Sequence, residues 1–279
     1  MTNKNIGFIG GGKMTRAIAG GLVDSGFDAA QLFIAEPDAA ARKSLADAFP
    51  GSTITADNEH VARIASSVVL AVKPQVLPAV CRELAITAQA AKPLLISIAA
   101  GVRSEDINSW LGGGLSIVRV MPNQPALIRR GISGVYANPN TSSAECTRAI
   151  TILEAVGKVV TVNNESDIDT VTAVSGSGPA YFFLLVDMLA EAGVELGLDA
   201  DAAATLAIET ARGAAELAEH EPVGMQELIR RVRSPGGTTA AALDSLDSAG
   251  VRAIFARAVR AARDRAVALA DDAHNNSQT

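Results

Sequence analysis

The sequence predicts an α/β chain with a doubly wound, mainly parallel sheet in its first part and helices alone in its second. Three observations carry that expectation. Residues 5–19 read NIGFIGGGKMTRAIA: a short apolar run, a glycine turn, then apolar residues at helical spacing. Apolar runs and helical periods alternate as far as Val162, and from Asp167 onward only the helical period continues. Aromatic residues make up 4% of the 279 residues while alanine is abundant, which favours close helix packing over an all-β fold.

In the opening stretch, Ile6, Phe8 and Ile9 form a buried strand, and Gly7 allows a neighbour to approach closely. Gly10, Gly11 and Gly12 turn the chain, and from Lys13 the residues Met14, Ala17, Ile18 and Leu22 line one helical face. Strand, glycine turn and helix open a dinucleotide-binding unit of the Rossmann type. Gly10 permits the turn, and Gly12 lets a pyrophosphate come close to the free N–H groups of the helix. The third fingerprint position is Thr15 rather than Gly or Ala, which sets strand and helix slightly further apart.

A second strand, Leu32 to Ile34, ends at Ala35 and Glu36. An acid at this place binds the adenosine ribose hydroxyls of NAD. Arg42 and Lys43 follow in the next helix and could instead answer the 2′-phosphate of NADP, so both cofactors stay open. Thr53 to Thr55 is a short strand, and Asp57 caps a helix holding Val61 and Ile64. Ser67 to Val72 reads as a strand buried on both faces and leads into Lys73 and Pro74 at the sheet's ligand-binding rim. Leu94 to Ile98 ends in Ala99-Ala100-Gly101, and Leu115 to Val120 ends in Met121-Pro122-Asn123-Gln124. Small residues at three such ends suit a flat ring lying against the backbone. Ile132 to Ala137 and Lys158 to Val162 are further strands around a helix from Ser142 to Val156.

The boundary between the two parts falls at Asn163 to Ser166, giving residues 1–164 and 165–279 as domains. The second part has no lysine, and its histidines are His220 and His274. It opens with Ser175-Gly176-Ser177-Gly178-Pro179-Ala180-Tyr181, whose serines and glycines suit a helix cap and whose proline suits a first turn. The following helix is apolar nearly all round through Leu189, which points to burial against a second subunit. A second loop, Arg233-Ser234-Pro235-Gly236-Gly237-Thr238-Thr239, opens another helix whose free N–H groups suit a carboxylate. Val251 to Leu269 is an amphipathic helix with Ile254, Phe255, Ala258, Val259 and Ala262 on one face and arginines elsewhere, and residues from His274 onward read as a frayed tail.

Net charge is −6 with a pI near 5.2, which argues against nucleic acid or an anionic membrane as partner. Cys81 and Cys146 lack metal-ligand spacing and read as two reduced thiols of a cytoplasmic protein, with no metal site. No leader signal stands in MTNKNIGFIGGG, where a strand begins at once, and no run of about eighteen apolar residues suggests a membrane span.

The segments AVKPQ (71–75), SIAAG (97–101), RVMPN (119–123), SGSGPAY (175–181) and RSPGGTTAAAL (233–243) occur in this order across nearly the whole chain. Together they resemble the Δ1-pyrroline-5-carboxylate reductase family. The resemblance implies reduction of a cyclic imine to L-proline with NADPH or NADH, and a helical domain forming an intertwined homodimer, often assembled into a decamer. It implies cofactor contacts at Ile9, Gly10, Gly11, Gly12, Lys13 and Met14, at Ala35, Glu36 and Asn58, at Ala71, Val72, Lys73 and Pro74, and at Ile98, Ala99 and Ala100. Substrate would sit on Ser234, Gly236, Gly237 and Thr238 near Ser175, between the nucleotide domain of one subunit and the helical domain of its partner. Thr239 would hydrogen-bond the ring nitrogen as the catalytic hydroxyl. Gln124 departs from the family's usual Thr or Ser, and Glu36 from the small residue of many NADPH-preferring members. Two other readings start from the same fold. A β-hydroxyacid dehydrogenase would need a lysine in the helical part, which this chain lacks. A non-catalytic nucleotide-binding protein would leave the SPGGTT loop without a role.

Overall fold

The computed structural model describes residues 4–277. Its strands are β1 Ile6–Ile9, β2 Leu32–Ala35, β3 Thr53–Thr55, β4 Ser67–Leu70, β5 Leu94–Ser97, β6 Ile117–Met121, β7 Gly131–Ala137 and β8 Gly157–Thr161. They form an eight-stranded sheet in the order β3-β2-β1-β4-β5-β6-β7-β8. All neighbours from β3 to β6 are parallel, β7 runs antiparallel to β6, and β8 is parallel to β7. The connections between parallel strands run through α1 Lys13–Asp24, α2 Ala39–Ala48, α3 Asn58–Ile64, α4 Leu77–Ala91 and α5 Ser104–Trp110, and α6 Ser143–Glu154 joins β7 to β8.

Strand alternation divides the apolar residues between two cores. Ile6, Phe8, Val69, Ile96 and Val118 face α1 and α6, where Ile18, Leu22, Ile152 and Leu153 meet them. Ile9, Val68, Leu70, Leu95 and Ile117 face the other way, onto Val61, Leu77, Leu84 and Ile107. The expected double-faced burial of β4 follows from this division. Gly7 lets α3 close onto β1, since a Cβ there would lie 2.5 Å from Val61 Cγ1. Gly21 does the same within α1, where a Cβ would lie 2.2 Å from the Ala155 carbonyl oxygen. Asp57 accepts from the His60 N–H at 2.8 Å and caps α3 as its sequence position predicts.

The compact units divide at a different place from the expected 163–166 boundary. The first runs to Gly176 and takes in the chain again from Ala262, and the second is Ser177–Ala261. Two packing facts account for this. The helix α7 Asp167–Val171 buries Ile168 and Asp169 in the first unit, and Gly134 of β7 approaches Val171 so closely that a Cβ would lie 2.5 Å from it. The last helix, α12 Val251–Ser277, buries Ala266 and Ala270 there, with Leu269 against Gly101. The tail read as frayed is therefore helical through Ser277. His274 Nδ1 stands 2.5 Å from Asp106 Oδ1, and Arg103 pairs with Asp271. Residues 1–3 and 278–279, on which the readings of the first residues and the end of the tail partly fall, lie outside the described residues.

The second unit holds α8 Gly178–Glu195, α9 Ala200–His220, α10 Met225–Val232, α11 Thr238–Ser248 and the start of α12. The apolar face of α8 is open in the single chain, with Phe182 and Phe183 64% and 63% exposed and Leu184, Leu185 and Met188 also exposed. Tyr181 meets Phe255 edge-to-face at 5.6 Å. The helical stretch Asp167–Glu195, with a hydropathy of 1.3, is long and apolar enough to cross a membrane. The sequence reading missed this because serines and glycines at 175–178 interrupt the apolar letters, while the helix continues through them.

Two outcomes are expected of the fold. Gly21→Ala should lower stability by about 1–3 kcal/mol, because the added methyl meets backbone that cannot step aside; a denaturant midpoint equal to wild type would contradict this. Burial pushes the Cys81 thiol up to about 12, while Cys146 is half-buried. An Ellman titration should accordingly find Cys146 reactive in the folded protein and Cys81 only after unfolding.

Candidate active site

Because β3 to β6 are parallel, their C-terminal ends share one rim of the sheet, and backbone hydrogen bonds tie the ends together. The Gly10 N–H donates to the Ala35 carbonyl at 2.8 Å, Ala71 to Ile9 at 2.9 Å and Ile98 to Leu70 at 3.2 Å. Ile9, Gly10, Ala35, Ala71, Val72, Ile98 and Ala99 are thereby gathered at one edge, with Lys73 and Ala100 exposed beside them. Asn58 begins α3, and its amide reaches Glu83 at 3.4 Å.

Gly10 has a φ of 99°, and a Cβ on it would lie 2.9 Å from the Ala71 carbonyl oxygen, so both conformation and space demand glycine. Gly12 is the N-cap of α1 and has nothing within 4 Å of where a Cβ would stand. No side chain caps α1, and its first turn has no acid. This is an open helix N-terminus with a bare approach, which fits a dinucleotide pyrophosphate. Thr15 is fully buried, and its hydroxyl donates to the Gly10 carbonyl at 2.6 Å, bracing the turn. Glu36 stands at the end of β2 with Oε2 accepting from the Gly11 N–H at 2.9 Å. The residues that would hold the cofactor are thus the glycine turn, Lys13 and Met14 at the start of α1, Glu36, and the ends of β4 and β5.

The SGSG stretch is not a capped helix start. Thr172–Gly176 is a π-helical turn running directly out of α7, and Ser177 is itself right-handed helical without a side-chain cap bond. Ser175 donates its hydroxyl to the Val171 carbonyl at 3.0 Å, and its own carbonyl accepts from the Asn123 amide at 3.2 Å. Asn123 Oδ1 accepts from the Ile132 N–H, so the MPN loop holds this turn and β7 together. A π turn inside an α-helix recurs at functional sites.

A buried ionic cluster beneath this turn escaped the sequence reading. Arg119 of β6 is 2% exposed and donates to Glu165 Oε1 at 3.2 Å and Asp169 Oδ1 at 3.1 Å. Glu165 also accepts from the Ser104 N–H and hydroxyl, both at 2.6 Å. Burial, then the Glu165 charge, pushes the Tyr136 hydroxyl above its ordinary range. The signal in the sequence was an arginine inside a run of buried strand residues, IVRVM, where an unpaired charge is not tolerated.

In the second unit, Ser234-Pro235-Gly236-Gly237 is a β-turn. Gly236 has a φ of 71°, and the Gly237 N–H donates to the Ser234 carbonyl at 3.0 Å. Gly237 is the N-cap of α11, with no side-chain cap and no acid in the first turn. The Gly237 amide, expected to face a carboxylate, is engaged inside the turn, so Thr238 and Thr239 head the free end of the helix. Arg233 pairs with Asp244 at 2.5 Å and anchors the loop's start.

A dinucleotide rim joined in sequence to an all-helical unit defines a nicotinamide-dependent oxidoreductase with a dimerisation domain. Residues 165–269 match the family model for pyrroline-5-carboxylate reductase dimerisation, and residues 5–101 match that described as NADP oxidoreductase, coenzyme F420-dependent. The pyrroline-5-carboxylate reductase of Pseudomonas aeruginosa is 45% identical over 97% of this chain and 98% of its own. The structure of the Coxiella burnetii enzyme superposes with a TM-score of 0.92 at 39% identity, covering 96% and 99% of the two chains. That of Plasmodium falciparum, with NADP bound, gives 0.83 at 30% identity, covering 97% and 99%. The chain belongs to the pyrroline-5-carboxylate reductase family. It is an NAD(P)H-dependent oxidoreductase and a homo-oligomer.

Removing the cation from the buried cluster by Arg119→Met should leave Glu165 and Asp169 uncompensated and cost about 3–5 kcal/mol. Chemical unfolding checks this, and a loss under about 1 kcal/mol would show that the cluster carries little of the fold.

Proposed function

We propose that this chain reduces Δ1-pyrroline-5-carboxylate to L-proline, the last step of proline biosynthesis, in the cytoplasm. The observation that carries the proposal is the whole-chain likeness to pyrroline-5-carboxylate reductases, 45% identical over 273 residues in one case. The glycine turn and the SPGGTT loop are both intact within it. The α8 face open in the single chain supports a dimer, and the family resemblance supports further assembly into a decamer. The acidic net charge argues against nucleic acid and anionic membranes as partners.

Reduction of the C=N bond adds a hydride at carbon and leaves a proton on nitrogen. When bound, the reduced nicotinamide dinucleotide supplies the hydride. A pyrroline nitrogen is basic enough to carry its own proton near neutral pH, so the chain's task is to hold and orient the ring. In this reading the substrate carboxylate sits at the free end of α11. The Thr238 and Thr239 N–H groups donate to it with the Ser234 hydroxyl, while Gly236 and Gly237 shape the turn that leaves those donors open. Thr239 Oγ1 accepts from the protonated ring nitrogen. Ser175 on the π turn lines the substrate's surroundings.

Purified protein should oxidise NADPH or NADH when given DL-pyrroline-5-carboxylate, with proline as the product identified by chromatography. Absence of turnover with either cofactor, from folded oligomeric protein, would overturn the proposal. Thr239→Ala should lower kcat about tenfold to a hundredfold, the worth of one hydrogen bond to a charged group, with an unchanged circular dichroism spectrum. Wild-type kinetics in that variant would remove Thr239 from its assigned role.

A further inference from the structure

The end of β2 decides more than where a dinucleotide lies. Both oxygens of the Glu36 carboxylate are held by backbone donors: Oε2 by the Gly11 N–H at 2.9 Å and Oε1 by the Asp38 N–H at 3.0 Å. A carboxylate offers about four acceptor positions, so one remains on each oxygen. Two acceptors side by side match the two neighbouring hydroxyls of an adenosine ribose, each of which has a proton to donate. A ribose 2′-phosphate has no such proton at neutral pH and brings about two negative charges.

The carboxylate is not free to swing aside for a phosphate. Doing so would strip a partner from Gly11, which is buried, and a lost partner on a buried N–H is costly. The turn is also packed tightly on Glu36, since a Cβ at Gly11 would lie 2.5 Å from Leu45 Cδ1 and 3.1 Å from Glu36 Oε2.

Several of the groups that could welcome a phosphate nearby are engaged or weak, although Arg16 also reaches the start of α2, with Nη2 3.5 Å from the Ala41 carbonyl. The N-terminus of α2 is capped by Asp38, whose Oδ2 accepts from the Ala41 N–H at 2.6 Å, so a second carboxylate already occupies the positive end of that helix. Arg42 turns Nη1 onto the carbonyls of Glu36 and Pro37, at 3.0 and 2.6 Å. Lys43 is exposed, and a solvated ammonium gains little from pairing in water.

We propose that Glu36 makes this chain selective for NADH, its clamped carboxylate taking the ribose hydroxyls of NADH and turning away the 2′-phosphate of NADPH. The proposal rests on the dinucleotide site described above. It places this selection inside a family in which the Plasmodium falciparum structure holds NADP.

Titration of the purified oligomer with NADH and with NADPH, followed by cofactor fluorescence without substrate, reads the choice directly. NADH should bind at least about tenfold more tightly, as expected for a like-charge clash. Glu36→Ser should narrow or invert that ratio by weakening NADH and strengthening NADPH. Wild-type protein binding NADPH as tightly as NADH, or a ratio unmoved in a folded Glu36→Ser protein, would overturn the proposal. Glu36→Gln, which removes the charge at nearly constant shape, serves if the serine variant fails to fold and should shift the ratio the same way. Turnover assays separate the two readings. NADH selectivity without imine reduction would overturn the proposed reaction alone, and imine reduction by a protein that binds NADPH preferentially would overturn the cofactor choice alone.

Discussion

The parallel register from β3 to β6 is the constraint on which the first unit depends. It brings the ends of β1, β2, β4, β5 and β6 to one rim, where glycines and alanines leave the backbone bare. Gly10 makes that rim possible at its centre. Its left-handed conformation turns the chain between β1 and α1 against the Ala71 carbonyl with no room for a side chain. A sheet of the same strands in another order would scatter these ends and leave α1's N-terminus facing nothing.

The buried cluster of Arg119, Glu165 and Asp169 extends that constraint beyond the sheet. Burying charged groups such as Arg119 and Asp169 is costly unless their hydrogen bonds are met, and the half-buried Glu165, which pairs with Arg119, is held by two further donors from Ser104. The result is directional. Arg119, on a strand of the sheet, holds Glu165 just before α7 and Asp169 within it, and the π turn with Ser175 follows directly. Asn123, four residues beyond Arg119, holds the same turn from its carbonyl side. The rim loops and the SGSG turn are therefore fastened through one strand rather than by independent loop packing.

The second unit follows a different logic. Its helices leave large apolar side chains uncovered in a single chain, which a monomer rarely tolerates in a contiguous face. The match of residues 165–269 to a dimerisation domain accounts for this exposure. It also accounts for the membrane-like hydropathy of Asp167–Glu195, because a helix destined for a protein interface and one destined for lipid draw on the same residues.

Much of the fold was legible from the letters. Periodicity located the strands and helices of the first part within a few residues, and the glycine turn and the acid after β2 stand at the C-terminal rim of the sheet, as their sequence positions predict. The SPGGTT loop was legible as a helix entrance, because proline and glycine have narrow backbone preferences that survive without tertiary context. The partners of the charged residues were not legible. Ser104, Arg119, Glu165 and Asp169 are spread over 66 positions and meet only when β6 lies beside α5 and α7. The same holds for the end of α12, where His274 reads as part of a polar tail until folding sets it beside Asp106. The SGSG stretch shows the reverse error: serines and glycines suggest a cap by local preference, and tertiary contacts carry the helix through them as a π turn. Backbone conformation at glycines and the period of burial are local properties, and they can be read residue by residue along the chain. Which charges are neutralised, which amides stay open and where the compact units divide depend on contacts between distant segments, and these become visible once the chain is folded.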